Sequence, residues 1–162
     1  MEINILDKKE EILELLKDYT TVVHTNADED FDYLEEGCLS ISVLNNDEEV
    51  LYVDLEDEIT LGIGGWHTHY SGYLSDYNMF LKDLRDFIEC RLCAVCIICN
   101  DEWMGSFTAY EDELSLENLK KEVNKLLSDR EFQRQLKKNG YRIECTFLDS
   151  TKNIVWKIES SR

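Results

Sequence analysis

The stretch Leu39–Ile63, LSISVLNNDEEVLYVDLEDEITLGI, decides the fold class, because aliphatic and polar side chains alternate through it in three short runs. Turn-forming residues separate the runs, at Asn45–Asp47 and again at Glu56 and Asp57. We therefore predict an antiparallel meander of three strands with one apolar face. The apolar positions are Leu39, Ile41, Val43, Leu51, Val53, Leu55, Ile59, Leu61 and Ile63, and the opposite face carries Ser40, Ser42, Tyr52, Asp54, Glu58 and Thr60.

The flanking sequence predicts helices and hairpins around this meander. Helical spacing of apolar residues indicates one helix from Asp7 to about Tyr19, a second that starts at Ser75, and two more capped by Ser115 and Ser128. The run LCAVCIIC at Leu92–Cys99 is apolar throughout, as in a strand buried on both faces, and Asn100 and Asp101 form the turn to its partner strand. Two further strands close the chain. We predict a single α+β domain over residues 1–162, with a mainly antiparallel sheet of about seven strands and helices packed against it, in the order α-βββ-α-ββ-αα-ββ.

Charge is distributed unevenly along the chain. The 162 residues include 17 basic and 35 acidic side chains, for a net charge of −18. Residues 1–81 contain 20 acidic and three basic side chains, and no Lys or Arg occurs between Lys17 and Lys82. This excess argues against direct binding to nucleic acid or an anionic membrane and favours a basic protein partner, although an acidic surface also serves solubility. The carboxylates predicted to bind the partner are those of Asp28, Glu29, Asp30, Asp32, Glu35, Glu36, Asp47, Glu48, Glu49, Asp54 and Glu58.

An aromatic and histidine-rich segment follows the meander. Gly64 and Gly65 lead into a segment whose Trp66, His67, His69, Tyr70 and Tyr73 are predicted to anchor a partner, with burial in the core as the alternative for the aromatic rings. His67 and His69 are also spaced so that both imidazoles could face one metal ion, with Asp54, Glu58 or Asp76 as a third ligand. A metal-dependent hydrolase is therefore an alternative function, and a housekeeping domain is another. The sequence contains no nucleophile-elbow motif, and we assign no catalytic residue, metal ligand or cofactor.

Four cysteines occur at three-residue intervals, at Cys90, Cys93, Cys96 and Cys99. The spacing resembles that of iron–sulfur proteins, but bulky aliphatic residues separate the cysteines. On a strand, Cys93 and Cys99 point to one side and Cys96 to the other, so the group cannot share one metal. We predict that these thiols are buried structural residues.

The N-terminal residues have no signal-peptide pattern and no apolar run is long enough to span a bilayer, so we expect a cytoplasmic protein with reduced cysteines.

Residues 58–106 resemble the small acidic immunity proteins that bacteria encode beside polymorphic or contact-dependent toxins. The resemblance lies in the strand that leads into Gly65-Trp66-His67-Thr68-His69-Tyr70, the amphipathic helix after it, and the strand that closes at Asn100-Asp101-Glu102-Trp103-Met104-Gly105-Ser106. It implies a non-enzymatic protein that neutralises a basic toxin, such as a nuclease, by stoichiometric binding. It implies no active-site residues.

Overall fold

The computed structural model describes residues 1–161, which form two compact units: Met1–Glu89, and a second unit that begins at Cys90. The α+β prediction is confirmed, and all strand pairing is antiparallel. Residues 1–161 contain nine strands in two sheets, two strands more than the sequence predicted. The expectation of a single domain stays a prediction.

The first unit contains a five-stranded meander and two helices. Its sheet has the order β1-β2-β3-β4-β5, with each strand paired to the next one in the chain. The elements are α1 (Lys9–Leu15), β1 (Thr20–His24), β2 (Leu39–Asn45), β3 (Glu48–Leu55), β4 (Ile59–Ile63), β5 (Trp66–Tyr70) and α2 (Leu74–Ile88).

The three predicted strands are β2, β3 and β4, and the unpredicted β1 and β5 extend the sheet at its two edges. The helix predicted to reach Tyr19 ends four residues earlier, at Leu15. The β-branched run Thr20–Val23 that follows favours a strand over a helix and pairs with β2.

Two-residue turns join the strands of two hairpins. Asn46 and Asp47, between β2 and β3, have φ angles of 52° and 64°. Asn100 and Asp101 have φ angles of 53° and 61° and form the corresponding turn in the second unit. Asn and Asp tolerate this left-handed conformation, which matches the twist of the flanking strands, so the predicted turns are confirmed.

The apolar face of the first sheet forms a core with α2. Side chains predicted to point inward, including Ile41, Leu51 and Leu61, are fully buried, as are Phe80 and Phe87 of α2. The helix begins one residue before the predicted cap, at Leu74.

The second unit has a four-stranded sheet with the order β7-β6-β8-β9. As predicted, the apolar strand β6 is central, and seven of its eight residues are buried. The elements are β6 (Leu92–Cys99), β7 (Glu102–Tyr110), α3 (Leu116–Leu126), α4 (Arg130–Asn139), β8 (Tyr141–Thr146) and β9 (Ile154–Ile158).

Polar side chains cap the two helices of the second unit. The Ser115 hydroxyl accepts a hydrogen bond of 3.1 Å from the Asn118 amide at the start of α3, as predicted. At α4 the cap is Asp129 rather than Ser128, since the Asp129 carboxylate accepts a hydrogen bond of 2.7 Å from the Glu131 amide. Gly140 ends α4 at a φ of 71°.

Within residues 1–161, no helix has both the length and the apolar character needed to cross a membrane.

Candidate functional site

The face of the first sheet opposite the core carries rows of polar side chains. Because alternate residues of a strand share a face, the register aligns one residue from each of the five strands across the sheet. A second row lies beside the first and includes Ser42, Tyr52 and His67. The first row runs, from β1 to β5, His24, Ser40, Asp54, Thr60 and His69.

The acidic loop 25–38 contacts this polar face. The ring of Phe31 stacks on that of His24, with 3.8 Å between centroids. The Tyr33 hydroxyl donates a hydrogen bond of 3.4 Å to Asp54 Oδ1, and Leu34 is buried. Phe31 and Tyr33 thus hold the loop to the polar face of the sheet.

A cavity of about 360 Å³ lies between the loop and strands β2 and β3. We call it the tyrosine–carboxylate pocket. Gly62 adjoins one of its walls, since a Cβ atom at this position would lie 2.2 Å from the ring of Tyr52. The absence of a side chain at Gly62 therefore allows Tyr52 to lie across β4. The pocket is lined by Asp30, Phe31, Tyr33, Ser40, Glu49, Tyr52 and Asp54.

The electrostatics of the pocket centre on Asp54, which is 7% exposed. Burial raises the pKa of Asp54, and the negative charge of Glu49 contributes in the same direction. Burial and the charge of Asp54 raise the pKa of Tyr33 to about 12, so its hydroxyl remains a hydrogen-bond donor at neutral pH. Glu49 is exposed and accepts a hydrogen bond from the hydroxyl of the buried Ser42.

A second hollow of about 370 Å³ in the first unit is lined by acidic groups and Ser71. Burial raises the pKa of Glu56 there, and the nearby charge of Asp54 adds to the increase. The acidic residues that line it are Glu35, Glu56, Asp57 and Glu58.

The predicted partner-binding carboxylates are exposed, with Asp54 as the exception. They lie on loop 25–38, on the β2–β3 hairpin and at Glu58, next to the start of β4. In sequence terms, residues 1–89 carry 23 acidic and five basic side chains, whereas residues 90–162 carry twelve of each. The whole net charge therefore belongs to the first unit.

The predicted aromatic anchors divide between core and surface. The Tyr70 ring, which is 5% exposed, packs against Phe80, and the Trp66 ring packs against Phe87. Both rings point to the α2 side of the sheet, so burial in the core describes Trp66 and Tyr70 better than partner binding does. Tyr73 is exposed.

His67 and His69 lie on the polar face of the edge strand β5, with ring centroids 5.4 Å apart. His69 Nδ1 lies 2.8 Å from Glu58 Oε1 and 3.0 Å from Thr60 Oγ1. Asp76 accepts hydrogen bonds from the amide and hydroxyl of Ser71, and the hydroxyl contact lowers its pKa. Among residues 1–161, no group of three or more His, Cys, Asp or Glu side chains could hold a metal ion. The metal-dependent alternative therefore gains no support.

The cysteines of the chain are free thiols, and five of the six are buried in the second unit. Cys93 Sγ donates a hydrogen bond of 3.5 Å to the Ala109 carbonyl, and the neighbouring Cys145 thiol, together with burial, raises the pKa of Cys93. Cys38 of the first unit is half-buried, and burial raises its pKa too, with a further contribution from Glu56. Burial of the strand cysteines agrees with their predicted structural role.

Sequence reasoning placed Asp30, Glu49 and Asp54 among the binding residues but missed the aromatic walls of the pocket. Tyr52 was assigned only to the polar face of the meander, and Phe31 and Tyr33 were given no binding role. A large aromatic residue opposite a glycine on the neighbouring strand, as Tyr52 is opposite Gly62, was the available signal. Function must be inferred from this site itself, because the sequence matches no family model and no curated protein, and the fold matches no solved structure.

Proposed function

We propose that the protein is a non-enzymatic, cytoplasmic immunity protein that binds a basic bacterial toxin and neutralises it in a stoichiometric complex. The observation that carries the proposal is the location of the entire net charge in the first unit, on exposed carboxylates around two concave surfaces. The sequence resemblance over residues 58–106 supports the same role.

Most carboxylates of loop 25–38 have no cation to neutralise them. No Lys, Arg or His within residues 1–161 forms an ion pair with Glu29, Asp32 or Glu36. Exposed charges of one sign repel one another and attract an oppositely charged protein over a distance of about a Debye length, roughly 10 Å at 0.1 M salt. A basic partner would remove this repulsion and be steered to the surface as it approaches.

The proposal is tested with the product of the reading frame adjacent to this gene, co-expressed with the full chain. We expect this product to arrest growth when expressed alone, and co-expression to restore growth. We also expect a one-to-one complex whose association rate falls as salt is raised.

Charge reversal identifies the surface. Changing Glu29, Asp32 and Glu36 together to Lys should slow association by about tenfold or more, because these carboxylates lie outside both concave surfaces and act through long-range attraction. The matched control changes Glu102, Asp112 and Glu113 of the neutral second unit to Lys and alters the net charge equally. These residues are exposed and, like the first set, form no ion pair with a Lys, Arg or His of residues 1–161. An association rate that is insensitive to salt, or equally slowed by both triple variants, would refute the proposal.

A further inference from the structure

Two polar side chains of the tyrosine–carboxylate pocket are buried in a way that needs explanation. Ser40 is fully buried and Asp54 is 7% exposed, yet both line the pocket. They are direct neighbours across the β2–β3 ladder. Buried hydroxyl and carboxylate groups cost free energy unless hydrogen bonds or counter-charges compensate for the lost water.

That compensation is incomplete in the pocket. Ser40 Oγ makes no hydrogen bond of regular geometry among the described residues, although it lies close enough to Asp54 and Tyr33 to lower the pKa of both. No Lys, Arg or His of residues 1–161 forms an ion pair with Asp30, Glu49 or Asp54. Asp54 Oδ1 accepts a hydrogen bond of 3.4 Å from the Tyr33 hydroxyl. The pocket therefore holds negative charges that have no cation beside them.

The walls of the pocket are aromatic. Tyr33 and Tyr52 contribute rings beside the carboxylates, and Phe31 adds a third ring. A cation is attracted to the face of an aromatic ring, and arginine combines this with a planar set of five N–H donors that matches carboxylate oxygens. A volume of about 360 Å³ suits one long side chain better than an element of secondary structure.

We propose that the tyrosine–carboxylate pocket binds the guanidinium group of a single arginine, donated by the basic partner, with Asp54 and Ser40 as buried acceptors. This inference rests on the proposed function for the source of the arginine. The bound arginine would give the partner one specific contact among the many exposed carboxylates of the first unit.

The test titrates the full chain with the short peptide acetyl-Gly-Arg-Gly-amide and observes binding by NMR. We expect amide shifts centred on Ser40, Tyr52, Asp54 and the segment 30–33. The same peptide with citrulline, which has nearly the shape of arginine but no charge, should bind at least about tenfold more weakly because charge-assisted hydrogen bonds are lost.

Two variants locate the contact. Asp54→Asn should weaken arginine-peptide binding by about tenfold or more, whereas Asp18→Asn, which removes an exposed carboxylate of the first unit outside the pocket, should change it by less than about twofold. The amide spectrum of each variant reports whether it is folded. If Asp54→Asn does not fold, the exposed Glu49→Gln provides the same comparison.

Shifts scattered along loop 25–38, equal binding of the citrulline peptide, or unaltered binding to a folded pocket variant would overturn the arginine pocket. If a toxin complex forms and is slowed by the Glu29, Asp32 and Glu36 reversal, the proposed function stands even when the pocket fails this test. If the arginine peptide binds as expected but no adjacent toxin is neutralised, the pocket stands and the proposed function fails.

Discussion

Asp54 is a buried carboxylate with no cation beside it, so its ionisation opposes folding of the first unit. Three groups affect the pKa of Asp54: Tyr33 of loop 25–38, Glu49 on the same strand and Ser40 on β2. Its folded-state pKa is raised above the unfolded value, mainly by burial. A carboxyl group of this kind stabilises the fold below its unfolded pKa, and this contribution is lost as pH rises through the folded pKa.

We therefore expect the change in unfolding free energy caused by Asp54→Asn, relative to the natural protein, to be more stabilising or less destabilising at pH 7 than at pH 3. Asparagine keeps the shape of the carboxyl group and carries no charge at either pH. Urea unfolding of both proteins at the two pH values gives the difference in unfolding free energy. Asp32→Asn, at an exposed position, is the control, and a difference for Asp54→Asn that does not change with pH would contradict the explanation.

At the residue scale, the sequence revealed the polar face of the sheet but not what contacts it. Alternation alone placed Ser40, Tyr52 and Asp54 on one side of the meander, which the structure confirms. The hydrogen bond from Tyr33 to Asp54 joins residues 21 positions apart through an irregular loop. No periodicity encodes such a contact, because it depends on the path of the loop.

Helix α2 stabilises the first unit through one apolar face, and Phe80 is its central residue. The ring of Phe80 is fully buried, with the rings of Tyr70 and Tyr77 at centroid distances of 5.6 and 5.9 Å. Phe80→Ala should lower the free energy of unfolding by about 3–5 kcal/mol, since it leaves a cavity among these rings. The preceding residue, Met79, is exposed, and Met79→Ala should change stability by less than about 0.5 kcal/mol. Urea unfolding measures both, and comparable losses would show that α2 does not pack as described.

At the element scale, strands with regular alternation were predictable, whereas β1 and β5, the edge strands of the first sheet, were not. The β2–β4 meander and the apolar β6 follow directly from their patterns. Strand β5 was missed because its WHTHY sequence combines aromatic residues with histidines after two glycines, which is equally typical of a loop. Strand β1 was missed because the helical pattern of α1 continues to Tyr19 in the sequence while the helix itself ends at Leu15.

For the whole molecule, the main asymmetry is electrostatic. Residues 1–89 hold all of the net charge and residues 90–162 are neutral as a set. Self-repulsion should therefore weaken the first unit at low ionic strength and leave the second almost unaffected. The sequence showed this imbalance between its halves, but the boundary near residue 89 came from the structure.

We expect salt to stabilise the two units unequally. Between about 0.01 M and about 1 M NaCl the Debye length falls from about 30 Å to about 3 Å, which removes most of the repulsion among exposed carboxylates. Hydrogen exchange of the full chain should show amides of β2–β4 gaining protection with salt, while amides of β6 and β8 change little. An equal gain in both sheets would indicate a general salt effect instead of repulsion within the first unit.

The distribution of cysteines equips each unit with a native chemical reporter. Cys38 is the thiol of the first unit, and the remaining five are buried in the second. A buried thiol reacts with an alkylating reagent only when the surrounding structure opens, so its labelling rate measures that opening. Mass spectrometry of the labelled chain therefore follows opening of the second unit without any introduced probe. Labelling of the half-buried Cys38, in loop 25–38, reports whether the proposed toxin covers the acidic unit.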